Sequence, residues 1–512
     1  MEKEVRIKTL EAARLVEEEG MALIPAQDRP VFHLTPPTGW MNDPNGFSFY
    51  GGEYHLFFQY NPYGTSWDTM HWGHAVSRDL LRWEYRPAAL APDREYDRGG
   101  CFSGCAVTLP NGRQLLMYTG LMPDDREPSG QNVADCAAGT SRSPYHQVQN
   151  LAVGDGRDYV KYEGNPVISS DKLPEECNPY DFRDPKILVR RDGSYLALLA
   201  GLCRDGLGEI FLYTSRDGFR WDYWKPLLKN SGRFGKMWEC PDLFELDGKW
   251  FLMVSPMELR EEEPEYHSGH GNIVLGGSFD EESGVFTPDY DQSLDYGIDF
   301  YAAQTLQTED GRRVMIGWMQ NWAAIEMRRD NARWNCQMSM PRELSFHDGR
   351  LYQVPIREIA QYYDSEVFYK KVPVSGQMSL YGVDGRTIDM EVRVQPAPGE
   401  PVFGKFSIWF AMDEDNHTAL EFFPAEGRVF LDRSFSGARQ AVIHRRGCQV
   451  PESRNGELTI RILLDRYSAE IFLNDGRYVM TAILYTDLSA DRIYFSTDGK
   501  AVIDVARHGI RM

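Results

Sequence analysis

The chain has 512 residues, of which 42% are hydrophobic and 26% charged. These are ordinary proportions for a protein with a sizeable core, so general disorder is excluded. The formal net charge of −21 argues against nucleic acid or an anionic membrane as the main partner, because both would repel the chain.

The N-terminus is predicted to form a short, charged amphipathic helix over residues 9–19, within an N-terminal extension of residues 1–30. Residues 1–6 lack the apolar core of a signal peptide, and no stretch reaches the roughly 18 apolar residues of a membrane-spanning helix. The eight cysteines are scattered without a CxxC pair, which fits neither a disulfide framework nor a zinc site. We therefore expect a cytoplasmic protein without metal or cofactor.

A glycine-containing turn followed by a mostly apolar run recurs five times along the chain. Asn-Gly or Asp-Gly before such a run is a strong hairpin signal, and five units of about four short strands predict a five-bladed β-propeller over residues 31–350. The unit that follows Gly112 is the longest and contains a polar insertion at 122–146, which we expect to be a loop. The runs are GGEYHLFFQY (51–60), NGRQLLMYTG (111–120), DGSYLALLAG (192–201), DGKWFLMVSP (247–256) and DGRRVMIGWM (310–319).

The C-terminal part alternates apolar and polar residues again, after a predicted linker at 351–372. Segments such as FGKFSIWF (403–410), LTIRILL (458–464) and YVMTAILY (478–485), separated by Gly and Asp turns, predict a β-sandwich over residues 373–512. The predicted fold class is therefore all-β, a five-bladed propeller followed by a sandwich, with one short N-terminal helix.

Three carboxylates recur at one place in the propeller repeats. Counting nine residues back from the five turn glycines gives, in chain order, Asp43, Ser103, Asp184, Glu239 and Ala302. Equivalent positions of a radial repeat lie on a ring around its axis, so we expect the carboxylates to face one another. They could instead line a water-filled channel or hold blade turns. Their flanks, WMNDPNG (40–46), FRDP (182–185) and WECPD (238–242), favour a site, because a buried charge among aromatic rings is costly without a partner.

Two carboxylates that face each other across a pocket are typical of glycoside hydrolysis. One attacks the anomeric carbon, and the other protonates the departing oxygen. The pKa of the second carboxylate has to be raised, by burial or by the neighbouring carboxylates. A separation of about 5–5.5 Å between the two would predict retention of configuration.

The motifs WMNDPNG, FRDP and WECPD, in this order, resemble glycoside hydrolase family 32, the invertases and related β-fructofuranosidases. The resemblance runs from about residue 32 to the C-terminus and includes QYNP (59–62), FSG (102–104), DYGIDFYA (295–302) and MPREL (340–344). It implies a five-bladed propeller followed by an accessory β-sandwich. It also implies that Asp43 is the nucleophile, that Glu239 is the general acid and then the base, and that Asp184 holds the fructose hydroxyls and stabilises the transition state.

The same resemblance implies a pocket for fructose. Aromatic members of this pocket can stack on sugar faces or simply pack in the core, and polar members can hydrogen-bond to hydroxyls. The implied residues are Asn42, Gln59, Trp67, Phe102, Ser103, Arg183, Tyr296 and Trp318, with Trp40 and Asp295 in a second line. Cys105, Asp68 and the 122–146 insertion depart from the family pattern and could change which leaving group is accepted.

The sequence thus predicts a retaining β-fructofuranosidase that acts on sucrose or short fructose oligomers. Its partner is a small sugar rather than nucleic acid or a membrane, and assembly into a homo-oligomer stays open. A sucrose-6-phosphate hydrolase would need a basic pocket, and a fructosyltransferase would replace water by a second sugar. A non-catalytic sugar-binding propeller is disfavoured by the presence of all three carboxylates, and a xylan- or arabinan-cleaving propeller by WMNDPNG.

Overall fold

The structure, a computed structural model, describes residues 9–124, 144–262, 264–324, 332–437 and 443–512. In this part of the chain it has one α-helix, α1 (Leu10–Ala22), and 32 strands, which confirms the predicted all-β class with a short N-terminal helix. No described helix has the length and apolar character needed to cross a membrane. Six short 3-10 helices lie between the helix and strands of these described segments: Ala26–Asp28, Glu95–Asp97, Ser170–Lys172, Trp322–Ala324, Arg357–Tyr362 and Pro451–Ser453.

Strands β1–β22 build the five-bladed propeller, and each blade is a four-stranded antiparallel sheet whose first strand lies next to the axis. Blade 1 contains β1 (Gly39–Tyr50), β2 (Glu53–Asn61), β3 (His71–Ser77) and β4 (Trp83–Leu90). Blade 2 contains β5 (Cys101–Thr108), β6 (Gln114–Pro123), β7 (Tyr145–Gly154) and β8 (Tyr159–Lys161). Blade 3 contains β9 (Cys177–Val189), β10 (Tyr195–Cys203), β11 (Gly208–Ser215) and β12 (Asp222–Lys229).

Blades 4 and 5 complete the ring. Blade 4 contains β13 (Trp238–Leu246), β14 (Lys249–Pro256), β15 (Ile273–Asp280) and β16 (Val285–Ser293). Blade 5 contains β17 (Tyr301–Gln307), β18 (Arg313–Met319), β21 (Arg342–His347) and β22 (Arg350–Pro355), with the short β20 (Gln337–Met338) beside β18. The short β19 (Trp334–Asn335) pairs in parallel with β1, so the chain returns from blade 5 to blade 1 and closes the ring.

The turn glycines that revealed the repeat are needed for their backbone conformation rather than for space. Gly52 and Gly248 have φ of 84° and 79°, and no atom lies within 4 Å of a Cβ built at either position. Both lie in two-residue hairpin turns, where a positive φ matches the twist of the flanking strands. Glycine therefore marks the blade hairpins in the sequence because its φ is unrestricted.

The inner strands are tied to one another by hydrogen bonds that pass from blade to blade around the axis. Four of the bonds join a side chain of one inner strand to the inner strand of the adjacent blade, and the bond of Gln304 runs from blade 5 to blade 2. The axial wall therefore does not depend on apolar packing alone. The bonds are Gly104 N to Asn45 Oδ1 (3.2 Å), Ile187 N to Cys105 Sγ (3.2 Å), Lys186 Nζ to Asp242 Oδ2 (3.0 Å), Thr305 N to Asp242 Oδ2 (2.7 Å) and Gln304 Nε2 to Gly104 O (3.2 Å).

Helix α1 covers the outer edge of blade 1. Thr9 caps its N-terminus by accepting a hydrogen bond from Ala12 N (3.2 Å). Glu17 accepts a hydrogen bond from Ala88 N (2.9 Å), and Arg14 donates to Ala88 O (3.0 Å). The helix thus satisfies backbone groups that the edge strand β4 would otherwise leave unpaired.

The remaining strands form a sandwich that encloses its own core. Two long strands, β23 and β32, pair with each other, and β32 also pairs with β25 near its start and with β24 near its end, so it joins two layers. Aliphatic and aromatic residues from both layers share one buried cluster, as in other sandwiches. The strands are β23 (Tyr363–Met378), β24 (Ile388–Pro396), β25 (Phe406–Met412), β26 (His417–Phe423), β27 (Arg428–Phe435), β28 (Arg445–Gln449), β29 (Leu458–Asp465), β30 (Ser468–Leu473), β31 (Tyr478–Ile483) and β32 (Arg492–Ile510).

The segment 351–372, which joins the propeller to the sandwich, contains the end of β22, the 3-10 helix Arg357–Tyr362 and the start of β23.

The propeller and the sandwich are in contact through a buried network of charged side chains. Arg342 of blade 5 is fully buried and donates to Glu470 Oε2 from Nε (3.0 Å) and Nη2 (2.6 Å). His33 lies between Glu470 (2.9 Å) and Asp465 (2.9 Å). Burial alone would lower the pKa of His33, but these two carboxylates outweigh it and raise the pKa to about 9.

Candidate active site

Each inner strand of the propeller carries a β-bulge near its start, and the predicted carboxylates lie at three of these bulges. The pairing of β1 with β2 shifts between Met41 and Pro44, next to Asp43. The pairing of β9 shifts after Arg183, at Asp184, which has a φ of 61°. The pairing of β13 shifts directly after Glu239. Bulges re-aim side chains, and here they turn the three carboxylates toward the axis.

The strand registers correct the equivalence that counting from the turn glycines assigned. Asp43 is the second unpaired residue of its bulge, Asp184 is the first of its own, and Glu239 directly precedes its bulge. The count misleads because the hairpin loops differ in length and because β1 has a further register shift between Asn45 and Ser48. The three residues are therefore neighbours in space but not strictly equivalent.

All three carboxylates open into one cavity of about 300 Å³ at the axis. The cavity also collects most of the polar and aromatic residues that the sequence suggested. Predicted residues in its wall are Asn42, Asp43, Gln59, Trp67, Phe102, Ser103, Arg183, Asp184 and Glu239. Residues that were not predicted include Tyr180, Asp181, Lys236, Met257, Glu258 and Trp322.

Asp43 lies at the floor and is held by two donors. Ser103 Oγ donates to Oδ2 (2.8 Å), and Asn42 Nδ2 donates to Oδ1 (3.0 Å). Burial raises the pKa of Asp43, and the charge of Glu239 raises it further, while the two hydrogen bonds oppose the shift. The carboxylate is thus fixed in orientation and poorly solvated, which suits a nucleophile.

Asp184 is held mainly by backbone groups. Cys240 N donates to its Oδ2 (2.9 Å), and its own N–H donates to Thr119 Oγ1 (3.1 Å). Burial raises the pKa of Asp184, Arg183 opposes the shift, and the charges of Glu239 and Asp43 add to it. The Cys240 Sγ lies 3.8 Å from Oδ2 of both Asp43 and Asp184, so one buried thiol separates the two carboxylates.

Glu239 is clamped from two sides. Arg183 donates to Oε1 from Nε (3.1 Å) and Nη2 (2.9 Å). The Tyr301 hydroxyl lies 2.7 Å from Oε2 and 3.0 Å from the carbonyl oxygen of Ser255. A tyrosine has one hydroxyl proton, so the Tyr301 hydroxyl can donate to Glu239 or to Ser255, and it can accept a hydrogen bond from the acid form of Glu239. The carboxyl of Glu239 is thus held by a guanidinium on one oxygen and a hydroxyl on the other.

The buried amide of Gln59 points to a polar ligand. Gln59 is 2% exposed and lines the cavity, and its Nε2 has no hydrogen-bond partner among the described residues. A buried donor without a partner costs free energy unless a ligand or water satisfies it. A hydroxyl-rich molecule in the cavity would supply the missing acceptor.

Trp40 and Trp318 do not line the cavity but support its wall from behind. Trp40 Nε1 donates to Asn42 Oδ1 (2.9 Å), which orients the amide that holds Asp43. The Trp40 and Trp318 rings pack edge to face with centroids 5.9 Å apart, and Trp318 packs on Trp322 at 5.0 Å. Trp322, the outermost ring of this stack, reaches the cavity.

The structure does not bring Tyr296 or Asp295 to the cavity. Tyr296 N donates to Val479 O (2.8 Å) of β31, and Asp295 accepts a hydrogen bond from Thr481 N (3.0 Å) and pairs with Arg342 (3.1 Å). The DYGIDF segment thus docks the sandwich onto the propeller, and this pairing between distant parts of the chain draws both side chains away from the axis.

The three departures from the family pattern lie outside the cavity wall or outside the described residues. Cys105 is buried and accepts the hydrogen bond from Ile187 N of blade 3, so its thiol links the inner strands of blades 2 and 3. Asp68 accepts a hydrogen bond from Thr69 N (2.7 Å) and does not line the cavity. Most of the 122–146 insertion, residues 125–143, lies outside the described part of the chain.

Sequence reasoning missed Tyr301, although a signal for it was present. Tyr301 is adjacent to Ala302, the residue that counting reached in blade 5, and it corresponds to Glu239 in the strand register. The rim residues Lys236 and Glu258 carry no such signal, because they lie on loops outside the repeated strands.

Comparison with known proteins agrees with this architecture. The model of the glycosyl hydrolases family 32 N-terminal domain matches residues 33–355, and that of the family 32 C-terminal domain matches residues 358–508. A sucrose-6-phosphate hydrolase of Zymomonas mobilis is 34% identical, covering 95% of this chain and 92% of that protein. A levanase of Bacillus subtilis is also 34% identical, covering 94% and 70%. A Bombyx mori family 32 β-fructofuranosidase, solved as a mutant in complex with sucrose, superposes with a TM-score of 0.81 at 32% identity, covering 98% of each chain.

Proposed function

The chain belongs to glycosyl hydrolase family 32, and we propose that it is a retaining β-fructofuranosidase that hydrolyses the fructosyl bond of sucrose or of short fructose oligomers. The observation that carries this proposal is the convergence of Asp43, Asp184 and Glu239 on one cavity, with Glu239 held by Arg183 and Tyr301. The levanase and the sucrose-bound enzyme among its relatives support the substrate class.

In the first step Asp43 attacks the anomeric carbon of the fructosyl group. A bond forms between that carbon and a carboxylate oxygen, and the bond to the glycosidic oxygen breaks. Glu239 transfers its proton to the departing oxygen, and Tyr301 can then donate its own hydrogen to the new carboxylate. Arg183 stabilises the negative charge that develops on Glu239.

In the second step the fructosyl ester on Asp43 is hydrolysed. Water attacks the anomeric carbon while Glu239 takes one of its protons, and Asp43 leaves as a carboxylate. Two displacements at the same carbon retain its configuration. Asp184 faces the same cavity, and its carboxylate is placed to hold fructose hydroxyls and to stabilise positive charge at the anomeric carbon.

Fructose release from sucrose tests the proposal directly. We expect free fructose and glucose as the main products, with the β-anomer of fructose formed first when the reaction is followed by NMR. Fructose oligomers longer than the substrate, formed in excess over free fructose at high sucrose, would indicate the transferase alternative. Failure to release fructose from either sucrose or a short inulin-type oligomer would refute the proposal.

The hydrogen bond from Ser103 predicts a pH effect. Burial already raises the pKa of Asp43, and removing the Ser103 donor in Ser103→Ala removes an interaction that favours the ionised form, so the pKa rises further. Activity needs ionised Asp43 and is lost as the pH falls through this pKa, so the acid limb of kcat/KM moves to higher pH. At pH 5 we expect kcat/KM to fall about tenfold, and by less at pH 7.5. An unchanged acid limb would contradict the role of Ser103.

We further propose a cytoplasmic location. The seven cysteines in the described part of the chain are all buried free thiols, a state that a reducing compartment maintains. Fractionation of cells that express the full chain, with fructosidase activity as the readout, tests this placement.

A further inference from the structure

The floor and the rim of the cavity differ in their exposure to solvent. Asp184 and Gln59 at the floor are 6% and 2% exposed, and both line the cavity. The side chains of Lys236 and Glu258, in contrast, are 61% and 53% exposed. The floor therefore takes the fructosyl group, and the rim contacts the sugar that leaves.

The rim charges are already paired with one another. Lys236 Nζ lies 2.6 Å from Glu258 Oε2. Arg183 lies 3.0 Å from Asp181 and 2.9 Å from Glu239. Among the described residues of the wall, these two cations face five carboxylates, so neither positive group is free to receive an anion.

Backbone hydrogen bonds hold the segments that carry Lys236 and Glu258 next to each other. Lys236 N donates to Met257 O (3.0 Å), and Met257 N donates to Met237 O (2.9 Å), so the two chain segments lie side by side. Glu258 has a φ of 56°, a conformation that few non-glycine residues adopt. A residue held in this conformation by its surroundings is often part of a functional arrangement.

From these observations we infer that the enzyme selects uncharged leaving sugars and disfavours substrates phosphorylated on the leaving sugar. A phosphate monoester carries about −1.5 to −2 charges at pH 7. Placed at this rim, it would meet a lysine already paired with Glu258, above a cavity wall with more carboxylates than cations, and like charges brought together without compensation weaken binding. The inference rests on the proposed function and deepens it: the substrate is sucrose or a neutral oligomer rather than sucrose phosphorylated on its glucose.

The test compares kcat/KM for fructose release from sucrose and from sucrose phosphorylated at O6 of glucose. We expect the phosphorylated sugar to be at least about tenfold poorer in the wild-type protein. The difference should shrink as salt is raised from low ionic strength to about 0.5 M, because salt screens exposed charges.

Glu258→Gln removes one carboxylate and frees Lys236, so the ratio of kcat/KM for the phosphorylated sugar to that for sucrose should rise about fivefold or more. Glu400→Gln is the matched control, because Glu400 forms an exposed pair with Lys500 (2.7 Å) in the sandwich, and the ratio should not change.

A wild-type preference for the phosphorylated sugar would overturn the inference and leave the fructosidase proposal intact. An unchanged ratio in Glu258→Gln would overturn it as well, because the rim charge would not set the preference. Absence of fructose release from both sugars would refute the proposed function instead.

Discussion

Asp43→Ala should lower kcat for fructose release from sucrose by at least about 10⁴-fold, because removing a catalytic nucleophile costs four to six orders of magnitude in well-studied enzymes. The fold should survive. Desolvation and the charge of Glu239 raise the pKa of Asp43, so its ionised form costs stability at neutral pH, and alanine removes that cost. We therefore expect an inactive protein with an unchanged or slightly higher melting temperature, measured by steady-state kinetics and thermal unfolding at pH 7.

Asp222→Ala provides a matched control, because Asp222 is exposed on the outer strand β12 of blade 3. It should retain wild-type kinetics. Turnover within tenfold of wild type in Asp43→Ala would refute the nucleophile assignment, whereas loss of the folded state in that variant would refute the stability argument alone.

Arg342→Met should cause a large loss of stability although Arg342 lies outside the cavity. The change leaves Glu470 and Asp295 buried without their guanidinium partner, and breaking a buried ion pair from one side costs about 3–5 kcal/mol. Arg342 also donates to Thr481 Oγ1 (2.7 Å), so the loss falls on the contact between propeller and sandwich. We expect the melting temperature to drop on the order of 5 °C.

The control for this effect is Arg233→Met, which removes an exposed pair with Glu262 (2.9 Å) and should cost about 1 kcal/mol or less. Well below its melting temperature, Arg342→Met should keep normal kcat and KM, since Arg342 does not line the cavity. Equal melting temperatures for the two variants would show that the buried network does not hold the two parts together.

The propeller was predictable from sequence because its signal is local and repeated. A turn glycine equivalent to Gly52 and Gly248 occurs in every blade, because each hairpin needs a residue with positive φ. These glycines can therefore be recognised and counted in the sequence. The same repetition led from the turns to Asp43, Asp184 and Glu239. It could not give their exact registers, which depend on bulges and loop lengths that vary from blade to blade.

Contacts between distant parts of the chain were not predictable in this way. Tyr296 lies in a segment that resembles a sugar-contacting motif, but its backbone pairs with Val479, more than 180 residues later, and its side chain follows that pairing. Lys236 and Glu258 likewise meet only because two loops run side by side. No periodic pattern in the sequence predicts the pairing of Tyr296 with Val479 or the contact between Lys236 and Glu258.

The most direct measurement for the central claim is the trapping of a fructosyl ester. In Glu239→Gln, an aryl β-fructofuranoside can still transfer its fructosyl group, because its leaving group needs no proton, but water lacks its general base. We predict an intact mass increased by one fructosyl residue, located by peptide mapping on the segment that contains Asp43 and absent from Asp43→Ala/Glu239→Gln. Release of the aryl alcohol without any labelled protein, or a label on Asp184, would contradict the account.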